Sequence, residues 1–151
     1  MAISTALMLC LVVGVSDGDT LKARCGEPGA YEQISVRLGE IDAPEKEQPF
    51  GAASKKKLSD LCFSTNAEIK PMLHDRYGRL VARVRCKDQD ASEFMVRSGY
   101  AWFFTRYGKD MAVQRLEAAA RKGRLGLWAE PQPVPPWEWR RERRSGGSRS
   151  R

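Results

Sequence analysis

Ile34-Ser-Val-Arg-Leu-Gly-Glu-Ile-Asp-Ala-Pro-Glu45 is the stretch on which the reading of this chain turns. Ile34, Val36 and Leu38 alternate with Ser35 and Arg37. That period of two marks a strand with one buried face, and it sets Arg37 on the other face. Pro44 has no amide proton and cannot continue a central strand, so the chain must leave the sheet around Asp42-Ala-Pro-Glu45. An arginine on a strand and carboxylates just past its end therefore fall at one rim.

Outward from this stretch the pattern repeats. Upstream, residues 11–16 read as a strand that ends at the tight-turn pair Asp17-Gly18, and residues 20–24 as its return. Downstream, residues 50–62 carry Ala52, Ala53, Leu58, Leu61 and Cys62 at helical spacing. Residues 66–72 form a short strand and 75–78 a turn. Residues 79–86 alternate cleanly, with Leu80, Ala82, Val84 and Cys86 on one face. Asp90 with Glu93 three residues on is a capping box for a short helix closed by Gly99. Residues 110–122 form a longer helix with Gly123 as its stop. The expected fold is α+β and mainly β: a five-stranded OB-type barrel decorated by three α-helices.

The chain has 151 residues, 42% hydrophobic and 30% charged, which suits one globular domain. Its net charge is +7. Residues 140–151 hold six Arg against one Glu, or +5, which leaves about +2 on the body. A basic tail on a mildly basic body points to a polyanionic partner, or simply to a solvated tail. The expected organisation is a truncated export signal over residues 1–10, a single domain over 11–130, and an extended Pro/Arg-rich basic tail over 131–151 that adds affinity rather than chemistry. The apolar run 6–13 is too short to span a bilayer, which takes about 20 residues. It fits the core of an export signal, and so a secreted or periplasmic location, or else an extension of the first strand.

His74 is the single histidine, which excludes mechanisms that need two, and its turn-like context places it on a surface loop. The cysteines Cys10, Cys25, Cys62 and Cys86 include no Cys-x-x-Cys pair, so zinc clusters are excluded. Cys62 ends the first helix and Cys86 shares the inward face of the alternating strand. They are a candidate disulfide, with two buried thiols as the alternative. Cys25, beside a Gly/Pro loop, is expected to stay unpaired.

The residues that carry chemistry lie at strand ends. They are Asp17-Gly-Asp19-Thr20, then Arg37 with Asp42 and Glu45, then Asp75-Arg-Tyr-Gly-Arg79. Taken singly, each is an ordinary turn or helix entry. Together they place hard oxygen ligands and two arginines in a protein suited to a polyanion. This is an inventory for a calcium site with open positions and for phosphoryl transfer to water. The Asp-Gly-Asp turn does not continue into an EF-hand loop. A non-catalytic OB-type nucleic-acid-binding module is the alternative from another class, but it would not need the carboxylates. A structural calcium domain would leave both arginines unexplained.

Several stretches in the same order resemble the staphylococcal (micrococcal) nuclease, or thermonuclease, family over residues 12–128. They are Val15-Ser-Asp-Gly-Asp-Thr-Leu21, Val36 to Glu45, Asp75-Arg-Tyr-Gly-Arg79, Val96-Arg-Ser-Gly-Tyr-Ala101 and Leu125-Gly-Leu-Trp128. The resemblance implies calcium held by Asp19, Asp42 and the backbone carbonyl of Ala43. It implies Glu45 orienting or deprotonating the attacking water, and Arg37 and Arg79 gripping the scissile phosphate. Tyr77 would sit beside the bound nucleotide, with Tyr107 as a second candidate. It further implies a monomeric endonuclease without a membrane span that hydrolyses DNA and RNA with little sugar specificity and leaves 3'-phosphate ends. Ala43 stands where the family often has Thr, the loop after Glu45 is short, and Pro135-Pro-Trp-Glu-Trp-Arg140 extends past the family pattern.

Overall fold

The computed structural model describes residues 6–145. Five long strands make the barrel: β1 (Met8–Asp17), β2 (Thr20–Cys25), β3 (Glu32–Leu38), β5 (Asn66–His74) and β6 (Leu80–Cys86). β4 (Ile41–Asp42), β7 (Gln89–Asp90) and β8 (Trp102–Phe103) are two-residue pairings. Within the sheet the order is β3-β2-β1-β5-β6-β7, and a parallel β3–β6 pairing closes the ring. Among the described residues four α-helices surround it: α1 (Gly51–Cys62), α2 (Ala91–Arg97), α3 (Met111–Lys122) and α4 (Pro136–Ser145). The closed barrel with a mixed α+β architecture is the expected OB-type arrangement, with one helix more than the sequence suggested.

The alternations produce the core. Val12, Leu21, Ala23, Val36, Leu38, Ile69, Ala82 and Val84 are fully buried inside the barrel. Leu58, Leu61 and Cys62 of α1 close one side. Asp90 caps α2 by accepting the Glu93 N–H at 2.9 Å, and Asp110 caps α3 by accepting the Ala112 N–H at 2.9 Å. A second apolar cluster joins Trp102, Ala120, Leu127 and Trp128, with Trp137 of α4 packed on it.

Four expectations are corrected. First, Cys25 is bonded to Cys10. β1 starts at Met8 rather than at residue 11, and its pairing of Leu11 with Arg24 brings Cys10 beside Cys25. Cys62 is bonded to Cys86. Second, Met8–Cys10 belong to the barrel, paired with Ile69, Glu68 and Ala67. The rest of the export-signal reading, on residues 1–5, lies outside the described residues. Third, the tail is not extended throughout, because Pro136–Ser145 is helical. Pro136 suits a first helical position, Glu138 and then Arg143 and Arg144 match the helix dipole, and Trp137 gives the helix an apolar anchor. The part of the tail at 146–151 lies outside the described residues. Fourth, His74 is the exposed last residue of β5 rather than a loop residue.

Candidate active site

The turn between β1 and β2, the β3–β4 corner and the segment 43–50 meet at one rim of the barrel. Their closeness is enforced at Gly18: a Cβ there would lie 2.7 Å from the Ser54 Cβ and 2.8 Å from the Ala43 Cβ. Only glycine lets the Asp17–Asp19 turn press against α1 and the Asp42-Ala43 backbone. Gly51 has the same duty one layer on, because its Cβ would strike the carbonyl of Glu45.

Asp19 and Asp42, both buried, face each other across Arg37. The Arg37 Nη1 lies 3.6 Å from Asp19 Oδ2, and its Nη2 lies 3.3 Å from Asp42 Oδ1. Nη1 also donates to the carbonyls of Leu38 and Ile41 at 2.9 and 2.8 Å, which pins the guanidinium in the corner it neutralises. Asp19 accepts the Thr20 hydroxyl on Oδ1 and the Ala43 N–H on Oδ2, both at 2.8 Å.

The electrostatics show carboxylates crowded beyond the positive charge available. Burial, then the neighbouring charge of Asp19, pushes the Asp17 carboxyl up to about 8. Burial and Asp19 likewise push Asp42 up to about 6, against the opposing effect of Arg140 and Arg37. For Asp19 burial also raises the pKa, but the charge of Arg37 and hydrogen bonds from Asp17, Ala43 and Thr20 outweigh it and bring it down to about 2. Hard, buried oxygen donors with unmet demand for positive charge fit a divalent cation. Among the described residues no three His, Cys, Asp or Glu side chains converge as a metal cage. The rim offers two buried carboxylates, Asp19 and Asp42, with backbone beside them, as candidate oxygen donors.

Glu45 stands at the edge of this rim, and its N–H donates to the Gln48 Oε1 at 3.0 Å. Gln48, itself buried, donates from Nε2 to the Val134 carbonyl at 2.6 Å. Arg79 directly precedes β6. Arg37 is paired with Val81, and the alternation taken back two residues sets Arg79 on the same side as Arg37. Its polar partner is Asp75, whose Oδ2 accepts from Nε at 2.8 Å. The structure brings Asp19, Arg37, Asp42 and Glu45 together, whereas the contacts of Arg79 are with Asp75 and the Tyr77 ring. Tyr77 and Tyr107 are both mostly exposed, at 71% and 66%. The Tyr77 ring lies under the guanidinium groups of Arg76 and Arg79 at 5.4 and 5.6 Å. Tyr107 packs edge-on against Phe104.

Three participants were not singled out from sequence. Gln48 holds Glu45. Glu40, in the left-handed region at φ 74°, accepts the N–H groups of Lys109 and Asp110 at 2.6 Å each and anchors the loop bearing Tyr107. Arg140 of α4 reaches Asp42 at 2.7 Å and Glu45 at 3.3 Å. The expectation that the tail stays clear of the chemistry is therefore corrected. A Trp-Glu-Trp-Arg run with aromatic anchors was the available signal, but it gives no direction without a partner surface.

Residues 35–130 match the family model described as staphylococcal nuclease homologue. A Haemophilus influenzae protein named as an uncharacterized endonuclease is 46% identical over 134 residues, covering 88% of this chain and 73% of that protein. An Escherichia coli O157:H7 protein of the same description is 37% identical over 130 residues, covering 85% and 82%. A Shigella flexneri protein named micrococcal nuclease is 37% identical over 141 residues, covering 86% and 79%. With a matched family model over most of its length and an Asp19–Arg37–Asp42–Glu45 rim on a closed barrel, the chain belongs to the staphylococcal nuclease homologue family.

Proposed function

We propose that this nuclease is a calcium-dependent endonuclease that hydrolyses the phosphodiester bonds of DNA and RNA with little sugar specificity and leaves 3'-phosphate ends. The observation that carries this reading is the pair of buried carboxylates, Asp19 and Asp42, bridged by Arg37 within one rim. Asp19, Asp42 and the carbonyl of Ala43 would hold the cation. Bound calcium supplies charge that polarises the phosphoryl group and offsets the negative charge of the reacting phosphate. Arg37 and Arg79 bind its oxygens, and the planar fork of each allows two-point contact. Glu45 takes the proton from the attacking water. The water oxygen bonds to phosphorus as the bond to the 5'-oxygen breaks, and the departing oxygen takes a proton from solvent to leave as the 5'-hydroxyl. Tyr77 and Tyr107 offer rings on which a base or sugar can rest. The exposed arginines track the strand.

Two disulfides support residence in an oxidising compartment, secreted or periplasmic. No described helix is long and apolar enough to cross a membrane, and the protein is proposed to act as a monomer. The test is digestion of 5'-labelled DNA and RNA oligonucleotides with calcium, followed by phosphatase treatment of the products. Cleavage of both polymers to products whose mobility shifts on loss of a 3'-phosphate supports the reading. Products ending in 3'-hydroxyls, or cleavage of one polymer alone, contradict it.

A further inference from the structure

The arginine at the middle of α4 stands on the oxygens that the proposed cation would need. Arg140 Nη2 lies 2.7 Å from Asp42 Oδ2, and Nη1 lies 3.3 Å from Asp42 Oδ1 and 3.3 Å from Glu45 Oε1. The guanidinium thus contacts both oxygens of a carboxylate that is 1% exposed, a two-point, charge-assisted contact of the strong kind. A cation at Asp42 must compete with the guanidinium for these oxygens and against its charge.

The helix is not free to swing away without loss. Trp137 lies edge-on to Trp102 at 5.7 Å and stacks on Phe104 at 5.5 Å. Pro136 is buried, and Gln48 binds the Val134 carbonyl that leads into α4. The same Gln48 accepts the Glu45 N–H. The segment before α4, the loop bearing Glu45 and the Arg140 contact form one connected unit. Towards its end the helix is held more loosely, by an exposed pair between Arg143 and Glu47 at 3.2 Å.

We propose that Arg140 is an internal counter-ion that closes the nuclease site on itself, and that a divalent cation must displace its guanidinium from Asp42 before the site can work. This rests on the assignment of Asp42 as a cation ligand. The consequence is a threshold: the C-terminal helix sets how much calcium is needed, so that the carboxylate rim stays neutralised and closed where calcium is scarce. Displacement leaves Arg140 tethered by Trp137, with its charge still over the substrate-facing rim.

The experiment is isothermal titration of the full chain with calcium chloride, without substrate. The proteins compared are wild type, Arg140→Ala, Arg140→Met, Arg140→Lys and Arg143→Ala, with Asp42→Asn as the ligand control. A charge-assisted contact of this kind corresponds to roughly ten- to a hundredfold in affinity. Arg140→Ala and Arg140→Met should tighten the calcium Kd by about tenfold or more on that scale. Arg140→Met keeps the stem that packs on the helix and so answers the concern that Arg140→Ala loosens the fold. Arg140→Lys keeps the charge but loses the fork, and should fall between wild type and Arg140→Ala. Arg143→Ala should match wild type. Equal Kd in wild type, Arg140→Ala and Arg140→Met overturns the proposal while leaving the cation site intact. Arg140→Lys matching wild type while Arg140→Ala tightens supports the counter-ion and assigns its effect to the charge and not to the planar fork. Calcium uptake by neither wild type nor Arg140→Ala overturns the cation site and this inference with it.

Discussion

Arg37→Ala is expected to cost the protein stability as well as activity, and the geometry gives the size. The guanidinium is only 13% exposed, pairs with two buried carboxylates and donates to two backbone carbonyls. Removing one partner of a buried ion pair typically costs about 3–5 kcal/mol, because the other charge stays buried without compensation. For a domain of this size each kcal/mol moves the melting temperature by roughly 2–4 °C, so Arg37→Ala should melt roughly 6–20 °C below wild type. Added calcium should recover part of that loss, since a cation between Asp19 and Asp42 replaces the missing charge. Arg79 is the contrast: it is 31% exposed with a single carboxylate partner, so Arg79→Ala should lose no more than about 1 kcal/mol. The assay is thermal melting by circular dichroism at neutral pH, with chelator and then with calcium. An Arg37→Ala protein melting within about 2 °C of wild type, less than the shift of one kcal/mol, would refute the view that this arginine holds the rim together.

Other outcomes follow from the same geometry. Arg79→Ala and Glu45→Ala should each lower turnover about 100- to 1000-fold with circular dichroism unchanged, read by single-turnover cleavage. Near-normal rates in either would remove that residue from the chemistry. Replacing Cys62 and Cys86 by serine opens a crosslink with a sequence separation of 24 and should cost about 3 kcal/mol in urea unfolding. Asp110→Ala removes the α3 cap and should cost about 1 kcal/mol at neutral pH. The hydrogen bond from Arg83 lowers the Asp110 pKa below its usual 3.8. A depressed carboxylate contributes stability that is present above the unfolded value and lost as pH falls through the folded one. The gap between Asp110→Ala and wild type should therefore be full above pH 4 and narrow in stronger acid. A gap independent of pH would contradict this.

Most of the fold was legible because its strands bury one face only. The Ile34-Val36-Leu38 and Leu80-Ala82-Val84 alternations appear in the structure as inward rows, buried except for the partly buried Ile34. The caps at Asp90 and Asp110 were readable because capping is local chemistry. What the sequence concealed depends on partners far along the chain. Cys10 and Cys25 pair only because β1 runs three residues further back than its apolar pattern required. α4 has little helical pattern of its own and is fixed by Trp137 meeting Trp102 and Phe104. Within the site, the placement of Asp19, Arg37, Asp42 and Glu45 at one rim followed from strand ends and a family-like order of motifs. Arg140 could not be read from sequence, because 98 residues separate it from Asp42. The upward shift of the Asp17 carboxyl was likewise hidden, since it arises from burial and from the neighbouring charge of Asp19.

The proposed role of Asp19 and Asp42 is to hold the cation through which the protein cuts nucleic acid. Its most direct test is cleavage of labelled single-stranded DNA, duplex DNA and RNA by the full chain, first in excess chelator and then with calcium restored. No cleavage is expected in chelator, with recovery on all three substrates with calcium and weaker recovery with magnesium, which demands a tighter octahedral site. Full cleavage in excess chelator would contradict it.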